Sequence, residues 1–282
     1  MTDSAPTLAN ARRSLLFVPG ARPDRYEKAA ASGADMVCID LEDAVAPDGK
    51  DAAREAALAY LQTPPQGGVE VGLRINSIRH ADGLADVLGL VRSGATPAFV
   101  MVPKAANAAE LRVVREAIGP AAPPLFPLVE SAEAMANAEG IAGAEGVAYV
   151  LFGGVDYSAD VGCDLSWDAL LYARARLAAA CAKAGVVLFD VPYLDVGDED
   201  GLIETTRKAK ALGVQARAAI HPAQVSGIHR ALAPSAEEIE TAGRIVEAFE
   251  AAGGGVALLD GKLIELPVIM AARRTLALAE RA

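Results

Sequence analysis

The sequence has few cysteines, no excess of positive charge and no long apolar run. Its three cysteines, Cys38, Cys163 and Cys181, are too few for a disulfide framework and lack the spacing of a zinc site. The net charge of -11 at pH 7 excludes a broad basic face for nucleic acid. No apolar stretch is long enough to span a bilayer, and the first dozen residues lack the apolar core of a signal peptide. We therefore expect a cytoplasmic protein that binds neither nucleic acid nor membrane.

What the chain does contain is a series of eight short apolar runs separated by helical segments. The runs cover residues 14–20, 35–43, 70–76, 98–104, 124–130, 148–156, 186–195 and 216–222. Most are continuously apolar, as expected of parallel strands buried on both faces. Eight such units predict an α/β protein with a (β/α)8 TIM barrel. A doubly wound open sheet is the alternative, but VPGARPD at 18–24 lacks the glycine-rich phosphate turn that usually follows its first strand.

The C-terminal residues differ in character from the repeat. We predict a catalytic barrel domain over 1–250 and an appendage over 251–282. Three glycines at 253–255 indicate a hinge, and Asp260–Gly261 predicts the turn of a small hairpin. Pro267 then suits the first turn of a final helix.

Polar residues follow the apolar runs, where a barrel of this type carries its working face. They are Asp40, Glu42, Asp43, Arg74, Asn76, Lys104, Glu130, Asp156, Asp190, Asp195 and His221. So many carboxylates beside one arginine and one lysine are costly to bury unless a cation neutralises them. Carboxylates without a cysteine or histidine cluster favour Mg²⁺ over Zn²⁺.

Glu130 and Asp156 are the best pair of metal ligands in this set. Each ends a strand, and the two strands are consecutive, so they are expected to be neighbours. The alternative is that each acid caps the helix that follows it. Arg74 suits a substrate carboxylate or a developing oxyanion, with an ion pair to Glu42 or Asp43 as its alternative.

Seven segments in the same order resemble the citrate lyase β-subunit-like branch of the HpcH/HpaI aldolase family, which includes malyl-CoA and citramalyl-CoA lyases. They are RSLLFVPG (13–20), DMVCIDLEDAV (35–45), LRIN (73–76), VMVPK (100–104), PLVES (127–131), GGVDYSADVG (153–162) and IHPAQV (220–225). The resemblance implies a TIM barrel that assembles as a homotrimer or a dimer of trimers. It also implies a Mg²⁺-dependent carbon–carbon lyase. Such an enzyme cleaves or forms a 3-hydroxy acyl-CoA thioester of the malyl, citramalyl or citryl type, with a 2-oxo acid and an acyl-CoA as the other partners.

The resemblance further implies roles for individual residues near the metal. Glu130 and Asp156 correspond to the metal ligands of the family. Glu42 and Asp43 correspond to acids that bind metal-bound waters. Arg74 corresponds to the arginine that binds substrate and takes part in catalysis.

Other residues are implied to contact the substrate. Gly154, Val155 and Asp156 correspond to the turn whose amides hold a substrate carboxylate. Arg13 and Lys104 lie where the family meets the thioester carrier.

Two segments depart from the family pattern. GVQARAAIHP has Ala216–Arg217 where the family often has Gly–Lys, a change that we assign to a loop. GKLIELP has Glu265 where the lyases carry an aspartate that reaches a neighbouring subunit's site. We therefore expect Glu265 to be the catalytic acid or base of a neighbour's site.

Three rival functions remain open at this point. One is a Mg²⁺-dependent thioesterase that acts on the same acyl-CoA. Another is a non-catalytic subunit of a larger citrate lyase-type assembly. The third, the free-acid pyruvate aldolase arm of the family, uses a histidine near the early strands, whereas the first histidine here is His80.

Overall fold

Eight parallel strands form a closed barrel in the computed structural model, which describes residues 12–63, 68–252 and 257–280. The strands are β1 (Ser14–Pro19), β2 (Met36–Asp40), β3 (Glu70–Arg74), β4 (Val100–Val102), β5 (Leu125–Val129), β6 (Tyr149–Phe152), β7 (Val187–Asp190) and β8 (Ala216–Ala219). Each strand pairs with the next, and β8 closes the barrel against β1. The predicted (β/α)8 TIM barrel is therefore confirmed, and every strand lies within one of the eight predicted runs.

Helices follow the strands, and most of them cover the outside of the barrel. They are α1 (Tyr26–Ala30), α2 (Lys50–Leu61), α3 (Ala81–Ser93), α4 (Ala108–Ile118), α5 (Ala132–Ala136), α6 (Ala138–Ala142), α7 (Gly154–Val161), α8 (Trp167–Ala184), α9 (Glu199–Ala211), α10 (Gln224–Leu232), α11 (Ala236–Ala251) and α12 (Leu266–Ala279). Among the described residues, no helix has both the length and the apolar character that crossing a membrane requires.

The barrel interior is filled by side chains, because alternate residues of each strand point inward. Phe99, Phe126, Tyr149 and Phe189 form an aromatic cluster whose neighbouring ring centroids lie 4.9 to 6.3 Å apart. Gly72 on β3 leaves room for this cluster, since a Cβ there would lie 2.4 Å from the Phe99 ring. The four aromatic residues are at most 5% exposed, so the barrel is a packed core and not a channel.

The N-terminal end of the barrel is closed by an ion pair. Arg12 lies over the Tyr149 ring, 5.3 Å from its centroid, and its Nε donates to Glu70 Oε2 at 2.7 Å. Glu70 begins β3, so the pair lies below the aromatic cluster. A binding site in the barrel is therefore expected at its other end, where the strands terminate.

The C-terminal segment forms the hairpin and the final helix that the sequence predicts. Strands β9 (Ala257–Leu259) and β10 (Lys262–Ile264) pair around Asp260 and Gly261, which have positive φ angles of 51° and 74°. Pro267 lies in the first turn of α12. The predicted hinge at 253–255 lies outside the described residues.

The hairpin and α12 pack against α11. Ile264 and Ile269 are buried there against Ile245 and Phe249 of α11, in a core separate from that of the barrel. The predicted domain boundary at residue 250 falls in the last turn of α11. Helix α11 is thus the structural link between the barrel and the appendage.

Candidate active site

The inward-pointing face of several strands continues into charged residues at the C-terminal mouth of the barrel. On β2, Met36 and Cys38 face inward, and Asp40 follows with the same spacing. On β5, Phe126 and Leu128 face inward, and Glu130 follows directly after the strand. Both acids are at most 5% exposed. The period of two in a strand therefore places carboxylates on top of the aromatic core.

Arg74 and Asp40 form a two-pronged ion pair at this mouth. They are direct neighbours in the β2–β3 ladder. Arg74 Nε and Nη2 donate to the two oxygens of Asp40, each at 2.6 Å. Burial lowers the pKa of Arg74, but the hydrogen bonds to Asp40 and the charges of Asp40 and Glu42 outweigh it, so the pKa lies above its ordinary value. Arg74 is therefore a permanent cation of fixed orientation.

Glu42 connects this pair to Lys104. Its Oε2 lies 2.9 Å from Arg74 Nη1, and its Oε1 accepts from Lys104 Nζ at 2.6 Å. Asp43 lies slightly further from both cations, at 3.6 and 3.7 Å, and is 59% exposed. The alternative that Arg74 pairs with Glu42 or Asp43 is thus present in the structure, although Asp40 holds the guanidinium more closely.

Glu130 is held by the backbone of the neighbouring strand end. The Lys104 amide donates to Glu130 Oε1 at 2.6 Å. Lys104 has a φ of 53°, a left-handed conformation that costs a non-glycine residue energy and here aims its N–H at the carboxylate. Burial, followed by the charge of Glu42 and then that of Asp156, raises the pKa of Glu130 to about 8.

Asp156 lies in the first turn of α7, which directly follows β6. Its charge contributes to the raised pKa of Glu130, so the two carboxylates lie near enough to repel each other. Gly154, Val155 and Asp156 are the first three residues of α7, so no earlier helical carbonyl accepts from their amides. Such a helix start favours a bound carboxylate.

The mouth fits a hard divalent cation. Glu130 is a carboxylate that burial and two other acids drive toward protonation, and a cation would reverse that penalty. In the described residues, no group of three or more His, Cys, Asp or Glu side chains converges on one point. Two carboxylates completed by water and substrate are a usual arrangement for Mg²⁺, whereas structural Zn²⁺ needs a fuller protein shell.

Gly153 makes room for Glu130, and its replacement is expected to weaken the metal site. A Cβ on Gly153 would lie 2.4 Å from Glu130 Cβ and 2.8 Å from Oε2. We expect Gly153→Ala to reduce Mg²⁺ affinity about tenfold or more, because the ligand must move. Titration calorimetry measures this loss. Gly140→Ala is the matched control, since nothing lies within 4 Å of a Cβ there. Equal affinities in both variants would contradict the expectation.

Asp190 and Arg217 were wrongly placed by the sequence analysis. Phe189 points into the barrel, so Asp190 points outward, where Arg174 of α8 donates to it at 2.9 Å. Arg217 is a residue of β8 and not of a loop. It is buried under α9 and donates to Thr205 and Thr206, both at 2.8 Å. Neither residue belongs to the mouth.

Arg13 is also misplaced as a substrate contact. It precedes β1, and its backbone and side chain donate to Asp35, which precedes β2. The six residues of β1 separate it from the mouth by about 20 Å. The predicted contact between Arg13 and substrate at this mouth is therefore contradicted by its position at the opposite end of the barrel.

Glu265 makes no hydrogen bond or ion pair with the described residues of its own barrel's mouth. It is exposed and precedes α12, with its backbone carbonyl accepting from Val268 and Ile269. Its segment packs on α11. The predicted role in a neighbouring subunit stays a prediction.

Two residues that the sequence analysis missed contact the segment after β2 and the arginine of the mouth. The Lys50 ammonium donates to the carbonyls of Leu41 and Glu42, at 2.8 and 2.6 Å. Phe17 of β1 lies under the Arg74 guanidinium, 5.1 Å from the ring centroid. The inward position of Phe17, two residues after Leu15, was a usable signal, whereas nothing in the pattern identified Lys50.

Comparison with known proteins identifies a family that matches this arrangement. The model of the HpcH/HpaI aldolase/citrate lyase family matches residues 13–222. The (3S)-malyl-CoA thioesterase of Cereibacter sphaeroides (strain ATCC 17023) is 35% identical over 273 residues, covering 95% of this chain and 94% of the relative. Citrate lyase subunit beta of Escherichia coli (strain K12) is 34% identical over 284 residues, covering 95% and 93%.

A solved structure shares the architecture over nearly the whole chain. It is the protein CitE from Mycobacterium tuberculosis in complex with magnesium, acetoacetate and coenzyme A. The two structures agree with a TM-score of 0.84 at 32% identity, covering 96% of this chain and 98% of that chain. The likeness therefore extends through the barrel and into the appendage.

Proposed function

This chain belongs to the HpcH/HpaI aldolase/citrate lyase family, and from that premise we propose that it is a Mg²⁺-dependent carbon–carbon lyase. Its substrate would be a 3-hydroxy acyl-CoA thioester of the malyl, citramalyl or citryl type, which it cleaves to, or forms from, a 2-oxo acid and an acyl-CoA. The observation that carries the proposal is the buried Glu130, held by the Lys104 amide at the mouth that also contains the fixed guanidinium of Arg74, where a cation would offset the buried charge.

Each group at the mouth has a place in this reaction. Glu130 and Asp156 would hold the ion, with Glu42 and Asp43 positioning its water ligands. When bound, Mg²⁺ supplies Lewis-acid polarisation of the 2-oxo acid. Magnesium, acetoacetate and coenzyme A in the complex of the M. tuberculosis relative support these assignments.

The remaining groups bind and stabilise the substrate. Arg74 would stabilise negative charge on the oxygen that becomes the ketone. The amides of Gly154, Val155 and Asp156 at the start of α7 would bind the substrate carboxylate. Lys104, 43% exposed, would meet the thioester side of the substrate.

The assembly that we propose is a homotrimer, or a dimer of trimers, in which the appendage covers a neighbour's mouth. Leu258, Leu263, Leu266 and Met270 of the appendage are 52 to 70% exposed in the single chain. Such apolar exposure favours contact with another surface. Glu265 lies among these residues, which supports its proposed role as the acid or base for the carbon next to the thioester.

A thioesterase is the second candidate, because the C. sphaeroides relative with 35% identity carries that activity in its name. Glu42 and Asp43 would then direct a water molecule at the thioester carbonyl. The same mouth and the same ion serve both reactions, so the products decide between them.

The deciding experiment is a product analysis with purified protein and Mg²⁺ on malyl-, citramalyl- and citryl-CoA. A lyase yields a 2-oxo acid and an acyl-CoA from at least one of them, and EDTA abolishes the yield. A thioesterase yields free CoA and an intact hydroxy diacid. If neither set of products forms, the lyase proposal is wrong and a subunit role in a larger assembly takes its place.

A further inference from the structure

Asp40 is a buried acid at the mouth that neither the metal set nor the substrate contacts use. Its carboxylate accepts four hydrogen bonds, two from Arg74 and two from the backbone. The backbone donors are the amides of Glu42, at 2.8 Å, and Ala44, at 3.2 Å. Because both oxygens are fully engaged within the protein, Asp40 has no lone pair left in a suitable direction for a metal ion.

These four bonds fix two different parts of the mouth at once. The two amides fold the chain after β2 back over Asp40, which turns the Glu42 side chain toward Lys104. The two guanidinium bonds fix the Nε–Nη2 edge of Arg74, and the ring of Phe17 covers one of its faces. The Nη1 edge is left facing the mouth, where Glu42 occupies it at 2.9 Å.

The orientation of this Nη1 edge is what the proposed reaction needs. A guanidinium stabilises a developing oxyanion only when its donors already point at the oxygen. The Arg74 guanidinium, on a long flexible side chain, would not keep such a direction by itself. Glu42 contacts only one of its nitrogens. Asp40 is opposite Arg74 in the ladder and holds two nitrogens, so it decides which edge is presented.

We infer that Asp40 is a positioning residue that presents the Nη1 edge of Arg74 to the substrate oxygen and sets the direction of Glu42. The inference rests on the proposed function only for the identity of that oxygen. It separates Asp40 from Glu130 and Asp156, since it predicts that Mg²⁺ binding survives the loss of the Asp40 charge.

The fold offers a matched control in a second buried aspartate–arginine pair. Asp190 ends β7 as Asp40 ends β2, and the two are 1% and 2% exposed. Asp190 accepts from Arg174, but on the outer side of the barrel. Asp190→Asn therefore removes the same charge from a similar environment without touching the mouth.

The experiment compares Asp40→Asn with Asp190→Asn for thermal stability, Mg²⁺ affinity by calorimetry, kcat and KM. We expect both variants to melt at lower temperature than the wild type and to keep Mg²⁺ affinity within about threefold. Only Asp40→Asn should lose kcat, by about a hundredfold, because misplacement of about 1 Å at the reacting atoms has that effect. Equal kcat values in the two variants, or a lost Mg²⁺ affinity in Asp40→Asn, would overturn the inference.

Two additions make every outcome informative. Asp40→Glu keeps the charge but not the length, so it should also lose kcat, and full activity in this variant would overturn the inference if Asp40→Asn fails to fold. If the wild type has no lyase or thioesterase activity, the proposed function fails on its own. The inference is then decided by phenylglyoxal labelling followed by mass spectrometry. Arg74 should be modified about tenfold faster in Asp40→Asn than in the wild type, since its fork is released, and an unchanged rate would overturn the inference.

Discussion

Replacing Glu130 or Asp156 with alanine should abolish Mg²⁺-dependent turnover, a loss of about a thousandfold or more. Glu130 is buried at the mouth and is held by the Lys104 amide, so its loss removes a carboxylate of fixed position. Asp156 lies in the first turn of α7, and its charge acts on Glu130. Turnover with and without EDTA measures the loss, and calorimetry measures the binding of Mg²⁺. Unchanged Mg²⁺ binding in both variants would show that the ion is held elsewhere.

A stability measurement tests whether the charged carboxylate of Glu130 destabilises the folded protein when metal is absent. Burial is the first cause that raises the pKa of Glu130, from 4.5 to about 8. The folded state therefore binds this proton more tightly than the unfolded state. The resulting stability is fully present below about pH 4.5 and is lost as the pH rises toward 8.

Glu130→Gln keeps the shape of the acid without its charge. In EDTA the variant should be as stable as the wild type at pH 4.5. At pH 8 its free energy of unfolding should exceed that of the wild type by about 2 to 4 kcal/mol. Differential scanning calorimetry at the two pH values measures this difference. A wild type that is as stable as the variant at pH 8 would mean that the carboxylate is already neutralised without metal.

The second large effect is expected from mixing two inactive proteins. Glu265→Gln removes the proposed acid or base from the appendage, and Glu130→Ala removes a proposed metal ligand from the barrel. If a site combines the barrel of one subunit with the appendage of the next, mixed oligomers contain sites with both groups intact. Random assembly from equal amounts should restore about a quarter of the wild-type activity, since each site draws its two halves independently.

The mixing experiment needs subunits that exchange and a control for the appendage. Co-expression of the two variants from one cell supplies the mixed assemblies. Glu247→Gln, which changes an exposed acid on α11, the helix on which the appendage packs, should stay fully active alone. A fully active Glu265→Gln protein would remove the catalytic role of Glu265. If both variants are inactive alone and their mixture is also inactive, Glu265 and Glu130 do not form a site that is shared between two subunits.

The sequence was sufficient for the barrel because its strands are buried on both faces. Runs such as 70–76 and 98–104 needed no partner to be recognised, since a short apolar run between two helical segments is typical of a buried parallel strand. The position of α11 was not predictable in this way. Its packing on Ile264 and Ile269 depends on the direction in which the chain returns after the hairpin, and local pattern does not carry that information.

The site was predictable where the period of two was followed and failed where it was not. Asp40 and Glu130 keep the inward spacing of the strands that precede them, whereas Asp190 does not, because Phe189 takes the inward position. Lys104 was chosen for its charge, yet its backbone amide is what holds Glu130. A backbone donor of this kind depends on a φ angle, which the residue type alone does not reveal.

The aromatic cluster of Phe99, Phe126, Tyr149 and Phe189 also constrains traffic. Because this cluster fills the interior of the barrel, reactants and products would enter and leave through the mouth. For a lyase of the proposed kind, the small 2-oxo acid would lie deepest, against Glu130. The bulky acyl-CoA would lie above it and block its exit. The 2-oxo acid would then bind before the acyl-CoA and leave after it. Substrate binding and product release would therefore follow a compulsory order in both reaction directions.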